Sequence, residues 1–325
     1  MLAYLARRLL YMVVALFVIS VISFLVIEAP PGDFITTWIS RVEAGLQGQD
    51  YIEMLRDRYG LNDPVYVRYV RWISSMLRGD FGYSLFWSMP VADILAAKLP
   101  YSLLINGLAL VLSYVVAIPI GIYSAVKQYS IGDYAFTFLG FLGLSIPGFL
   151  FALVVMYASY KLFGTTIGGL FSQQYVDAAW SFAKLADFLR HLAVPVFVVG
   201  AAGTAGLIRV MRATLLDELE QDYVRVARSK GLPEWRVILK YPVRVALNPI
   251  LSVAGWLLPA LVSGAVIIEV VLNLPTIGPV FLSALLSQDM QLAGAVVMLL
   301  SALVVIGTLV SDLLLAIADP RIRYV

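Results

Sequence analysis

The chain has 325 residues, 61% of them hydrophobic and 14% charged, with a mean hydropathy of +0.88. Soluble globular domains carry about 25% charged residues, so the composition excludes that class and indicates a polytopic membrane protein. With a net charge of +2, no cysteine and a single histidine, disulfides, thiolate metal sites and cysteine nucleophiles are excluded, and metal or Ser/His chemistry is short of residues.

A membrane-spanning helix needs roughly 20 mainly apolar residues. The qualifying stretches are Leu9–Ile27, Ser102–Val126, Tyr134–Leu162, Leu192–Ile208, Leu247–Leu272 and Leu292–Ala316. They are too long for barrel strands, so the expected class is all-α integral membrane with six transmembrane helices. Arg7-Arg8 precedes the first stretch, which runs to Glu28-Ala29-Pro30-Pro31 without a small-x-small cleavage site. Residues 1–28 therefore read as a signal-anchor helix, not a cleaved leader.

Residues 29–98 form a long extracytoplasmic loop region. Amphipathic pieces occur at Tyr51–Tyr59 and Val65–Leu77, the second with Val67, Val70, Ile73 and Leu77 on one side. Tyr66, Tyr69, Trp72, Phe81, Tyr83, Phe86 and Trp87 enrich the loop in aromatics. Two readings stand: anchoring at the headgroup level, or a platform for an extracytoplasmic partner.

Residues 99–325 read as a five-helix core. Pro119, Pro147 and Pro259 predict kinks within spans; at Pro147, after Ser145, the kink either lines a transport path or is tolerated curvature. A second outer loop, Phe163–Arg190, has a composition able to lie flat on the membrane. His191 opens the next span, as an interfacial hydrogen-bonding group or a proton relay. Arg209 and Arg212 close that span, where positive charge suits a helix C-terminus. Ionisable groups at membrane depth are expensive and usually functional. Glu269 reads as a structural residue at the outer boundary or as part of the pathway or gate, and Asp312 as an inner-interface residue.

The charged segment 210–246 interrupts the spans. Leu215, Leu216, Leu219, Tyr223, Val226 and Ala227 recur at helical spacing, with Asp217, Glu218, Glu220 and Asp222 preceding Arg225, Arg228 and Lys230. That order suits the helix dipole and permits pairs such as Asp222 with Arg225. Gly231 fits a C′ position with positive φ, and Pro233 fits the first turn of a second short helix carrying Trp235 and Ile238. The segment reads either as a solvated loop or as a two-helix docking knob. With the N-terminus inside, Arg7, Arg8, Lys127, this knob, Arg321 and Arg323 all face the cytosol, while the outer loop Asn273–Gln291 has no Lys or Arg. Both termini are thus expected on the cytosolic side of the cell membrane.

From Tyr223 to Gly231 the sequence resembles the cytoplasmic EAA motif of ABC importer permeases, in the version of the dipeptide/oligopeptide family's B-type subunit. The resemblance continues through Ala29-Pro30-Pro31-Gly32-Asp33, Tyr59-Gly60-Leu61-Asn62-Asp63-Pro64, Gly79-Asp80-Phe81-Gly82-Tyr83-Ser84, Ser145-Ile146-Pro147, Gly264-Ala265-Val266 with Glu269, and Asp319-Pro320-Arg321. It departs where the motif's Glu-Ala-Ala is Arg225-Val226-Ala227 and where its Ile-x-Leu-Pro is Tyr241-Pro242-Val243-Arg244.

The resemblance implies a type I ABC importer permease fold and a pore-forming subunit of a binding-protein-dependent importer. It implies a heterodimer with a second homologous permease, two cytosolic ABC ATPase subunits that hold the ATP and Mg, and an extracytoplasmic substrate-binding protein. By residue it assigns Arg225, Ala227, Arg228, Lys230, Gly231 and Leu232 to the ATPase-docking coupling helix, with Ser229, Pro233 and Trp235 completing the knob. Ser145, Pro147 and Glu269 are the pathway or gate candidates. No catalytic residue, metal, bound cofactor or nucleic-acid partner is expected. Substrates are first oligopeptides or dipeptides, then oligosaccharides or nickel. No Gly-Lys dipeptide occurs, so a P-loop is absent and energy must come from a partner or an ion gradient. A stand-alone secondary transporter is the distant alternative, weakened by the lack of an internal repeat.

Overall fold

Backbone amides in hydrocarbon find no water, so each apolar run must close its hydrogen bonds within itself. The computed structural model describes residues 2–28, 62–84, 86–164, 167–252 and 257–318, almost entirely as helices. In chain order these are α1 (Leu2–Glu28), α2 (Val65–Leu77), α3 (Val91–Val126), α4 (Ile131–Ser145), α5 (Gly148–Phe163), α6 (Phe182–Leu219) and α7 (Asp222–Ser229). There follow α8 (Glu234–Lys240), α9 (Pro242–Ala246), α10 (Asn248–Ser252), α11 (Leu257–Ser263), α12 (Val266–Val271), α13 (Ile277–Ser287) and α14 (Met290–Ala318). A two-stranded antiparallel hairpin pairs β1 (Tyr83–Ser84) with β2 (Met89–Pro90) ahead of α3.

Among the described residues three helices, α3, α6 and α14, are long and apolar enough to cross a membrane, and up to five crossings result if two bent pairs each count as one. The span expected over Tyr134–Leu162, kinked at Pro147, is bent far more sharply than a kink: α4 and α5 meet at 103°. The proline ring disfavours helical geometry at the residue before it and supplies no N–H. Ile146 accordingly sits at φ −90, ψ 121, and Pro147 restarts the chain at φ −55, ψ 132 as the N-cap of α5. The Ser145 hydroxyl donates to the Phe141 carbonyl at 2.7 Å, closing the last turn of α4. Within the expected span Leu247–Leu272 the described residues break between α11 and α12, at Gly264 and Ala265, whereas α3 runs through Pro119 without a break.

Helix α6 is far longer than the apolar run Leu192–Ile208 within it. Its 38 residues extend about 57 Å at 1.5 Å each, well beyond the roughly 30 Å of hydrocarbon. Ser181 caps it by accepting the Lys184 N–H at 3.2 Å. The helix thereby absorbs the end of the second outer loop and the first residues of the charged segment.

Chain contacts separate two units, residues 1–100 with 276–305, and residues 101–275 with 306–325. In the first, Phe24 of α1 meets Tyr69 and Trp72 of α2 with ring centroids 5.5 Å from it in each case. The Ser20 and Tyr69 hydroxyls lie 2.8 Å apart, and Arg68 pairs with Glu28 at 2.7 Å. On α2, Tyr69 and Trp72 pack on α1, while of the residues read on one side Val67 and Ile73 are half-buried and Val70 and Leu77 are 60% and 82% exposed. The Ser84 hydroxyl donates to Asp289 at 2.5 Å, while Asp289 also accepts the Leu292 N–H at the start of α14. The piece Tyr51–Tyr59 lies outside the described residues.

In the second unit one apolar core gathers Ile105, Ala152, Phe188, Leu192, Val198, Ile268 and Leu272 from α3, α5, α6 and α12. Another gathers Ala125, Met211, Leu215, Ile238, Val243, Ala246 and Ile250 from α3, α6 and α8 to α10. The second core carries the charged segment.

Candidate functional site

Helix α6 stops at Leu219, and Gln221 is extended at φ −70, ψ 147 before α7 begins. The apolar face read as continuous from Leu215 to Ala227 is thus split between two helices. An eight-residue helix is too short to persist alone in water. What holds α7 is its closure on α8: Val224, Ala227 and Val237 are buried together, with Leu232 and Tyr241 packed against them. Burying each valine contributes about 1.5–3 kcal/mol. Ala227, only 4% exposed, is small enough to let the two helices approach.

Lys230 caps α7, and Gly231 turns the chain at φ +71 while its N–H reaches the Arg228 carbonyl at 3.0 Å. Pro233 is the N-cap of α8 at φ −62, ψ 140, one position earlier than its expected place in the first turn. Its carbonyl accepts the N–H groups of Arg236 and Val237 at 2.9 and 3.2 Å. Across this turn Arg228 donates from Nη2 to Glu234 Oε1 at 2.7 Å and from Nε at 3.1 Å. Asp222 pairs with Arg225 at 3.2 Å. Exposed pairs of this kind contribute about 0–1 kcal/mol, so they orient the turn more than they stabilise it. Tyr223 donates to the Glu218 carboxylate of α6. Burial first, and then that carboxylate, raise the Tyr223 phenol above its ordinary range, so it remains a donor.

Of the expected docking residues, Arg225, Arg228, Ser229, Lys230, Gly231, Pro233 and Trp235 are exposed, Leu232 is half-buried and Ala227 faces inward. Beside them Val226 and Leu239 are also exposed, and Trp235 is 61% exposed with the Arg236 guanidinium 5.1 Å from its ring. The α7–α8 pair thus exposes large apolar side chains among charged ones, a composition that suits an interaction surface. It is joined firmly to α6, because Ile238 and Val243 share a core with Met211 and Leu215 and the Thr214 hydroxyl donates to the Ala246 carbonyl at 3.1 Å.

The gate candidates do not converge as one cluster. Ser145 and Pro147 are exposed at the α4–α5 bend, while Glu269 is completely buried in α12. Asn106 of α3 donates from Nδ2 to Glu269 Oε1 and to the Leu261 carbonyl, both at 3.1 Å. The bend does reach α12: a Cβ at Gly148 would lie 2.7 Å from Ile268 Cδ1. His191 sits inside α6 with Nδ1 2.8 Å from the Asp187 carbonyl oxygen. The Asp312 side chain, Arg321 and Arg323 lie outside the described residues.

Sequence reading missed Asp133. It is 2% exposed and takes both oxygens to Arg212, from Nε at 2.8 Å and Nη2 at 2.9 Å. It also accepts the Tyr129 N–H at 2.9 Å, while the Ser130 hydroxyl accepts the Asp133 N–H. The Ser130-x-x-Asp133 spacing is a variant of the capping box and was the available signal for a helix start there; the partnership with Arg212 had no local signal.

Residues 117–324 match the family described as "Binding-protein-dependent transport system inner membrane component", and residues 1–106 match its N-terminal counterpart. The chain belongs to this permease family. It is 37% identical over 326 residues, covering 100% of both chains, to the oligopeptide transport system permease protein AppB of Bacillus subtilis. A putative peptide permease protein of Brucella ovis is 34% identical over 325 residues, with 99% of each chain covered. The glutathione transport system permease protein GsiC of Escherichia coli is 30% identical over 325 residues, again over 100% of both. Family membership and the long apolar helices make this a membrane-embedded permease.

Proposed function

We propose that this permease is one half of the pore of an ATP-driven importer of short peptides. It crosses the cell membrane six times with both termini in the cytosol, α4–α5 and α8–α12 each contributing one broken crossing. A second homologous permease completes the pore, an extracytoplasmic protein delivers the peptide, and two ATPase subunits bearing ATP and Mg seat on the α7–α8 knob. The observation that carries this reading is the knob itself: a two-helix projection with Trp235, Val226 and Leu239 outward and its own core inward. Support for peptides comes from full-length relatives named for peptide, oligopeptide and glutathione transport.

The reading is tested by purifying the permease from its native membrane and reconstituting it in vesicles. Two ATPase subunits should co-purify, and labelled short peptides should accumulate only with ATP and the binding protein present. Uptake by this chain alone, collapsed by an ionophore, would instead establish a secondary transporter.

Arg228→Glu supplies a second check on the knob. It sets two carboxylates against each other where Arg228 now meets Glu234. Because the pair is exposed, the expected loss of stability is only about 0.5–1 kcal/mol, whereas ATPase retention during purification should fall about tenfold. Equal retention by mutant and parent would remove Arg228 from the docking surface.

A further inference from the structure

We propose that Asp133 and Arg212 form the strut through which movement of the α7–α8 knob enters the broken helix pair α4–α5, both acting as positioning residues for transport. This rests on the permease reading above.

The knob shares a core with the last turns of α6, so the two must move together. Arg212 lies on those turns, next in sequence to Met211, which is fully buried in that core. Its guanidinium grips Asp133 through two parallel hydrogen bonds, a fork geometry that fixes direction as well as distance. Asp133 lies in the first turn of α4, beside the α3–α4 connection, and that connection is itself constrained. Tyr129 takes a left-handed φ of 62, unfavourable for a bulky residue, with its N–H held by Asp133. At Gly132 a Cβ would lie 2.5 Å from the Tyr123 hydroxyl.

Along its length α4 packs on α6, where a Cβ at Gly143 would lie 3.5 Å from Ala205 Cβ. Its other face, with Tyr134, Phe138, Leu139 and Phe141 each more than half exposed, leaves α6 as its main support, and Asp133–Arg212 is the polar grip at its start. At its far end α4 turns through 103° into α5, whose first residue, Gly148, abuts Ile268 of α12. A displacement of α6 therefore has a contiguous route of rigid pieces to the bend.

The measurement is peptide uptake per ATP hydrolysed in vesicles holding the complete transporter and its binding protein, with a labelled short-peptide pool as probe. Arg212→Lys keeps the charge and loses the fork. The mutant complex should assemble and hydrolyse ATP within about twofold of the parent, while uptake per ATP falls about tenfold. The second arm restores the link covalently. An ideal Cβ at Gly143 lies 3.5 Å from Ala205 Cβ, within disulfide range, and the chain has no other cysteine to interfere. Gly143→Cys with Ala205→Cys, added to Arg212→Lys and oxidised, should recover most of the lost coupling, and reduction should abolish the recovery. Unchanged uptake per ATP in Arg212→Lys, failure of that mutant to assemble, or no recovery on oxidation would each overturn the strut. Absence of ATP-driven uptake by the parent complex would instead strike the functional reading.

Discussion

Gly231→Pro is expected to abolish ATP-driven uptake, by at least about a hundredfold, in a permease that still inserts and is still recovered in full from the membrane. Gly231 stands at φ +71, where proline, fixed near φ −65°, cannot go. Its N–H also closes the end of α7 on the Arg228 carbonyl, and proline has none to give. The turn from Lys230 to Pro233 would have to re-form, pulling Arg228 from Glu234 and parting Val224 and Ala227 from Val237. Since α7 has too few residues to survive without that packing, the surface proposed to seat the ATPases would be lost and not merely shifted. Gly231→Ala separates the two causes. A Cβ here meets nothing within 4 Å, so only the left-handed backbone is penalised, by about 1 kcal/mol, and the N–H is retained. Alanine should therefore leave uptake within about threefold of the parent. Vesicle uptake with matched immunoblots checks both variants; full activity in Gly231→Pro would show that the turn is not used for coupling.

How much of this was legible depended on whether the signal was local. The turn at Gly231 was, because a left-handed residue followed by proline has a strong sequence signature. The presence of a break at Pro147 was legible too, but its size was not. Proline weakens the helix by its own chemistry, but whether the chain runs on, as at Pro119, or folds through 103° depends on tertiary packing, such as the approach of Gly148 to Ile268. The length of α6 was hidden for the opposite reason. Lys184, Asp187, Arg190, Arg209 and Arg212 end an apolar run, but charge does not end a helix, and the backbone continues wherever those side chains find partners. Lys184 finds the Ala178 carbonyl at 2.5 Å and the faces of Phe171 and Trp180; Arg212 finds Asp133, 79 positions away. Partnerships at that separation leave no periodicity to read. The α7–α8 knob could be sketched from sequence, whereas the contacts linking it to the rest of the second unit could not.

The same distinction governs Gly264, whose left-handed φ of +57 looks like an ordinary turn until its surroundings are considered. A Cβ at this position would fall 1.8 Å from Glu269 Oε1 and 2.7 Å from Asn106 Nδ2. Glycine is required there twice over, by the backbone and by the buried side chains crossing over it. Gly264→Ala must push the Glu269 carboxylate off Asn106, breaking a hydrogen bond in a site with no exposure. Leaving buried polar groups poorly paired costs about 1–3 kcal/mol, more where one is charged, and the left-handed alanine adds about 1 kcal/mol. The expected result is a variant whose thermal inactivation in detergent occurs several degrees below the parent's, with uptake lost in proportion. Glu269→Gln gives the informative contrast, since its amide can still accept from Asn106 while carrying no charge. If Glu269 serves only to fix α12 to α3, this variant should retain uptake within about threefold and keep its thermal midpoint. A large loss of uptake at an unchanged midpoint would instead show that the carboxylate's charge takes part in the transport cycle, placing Glu269 in the gate.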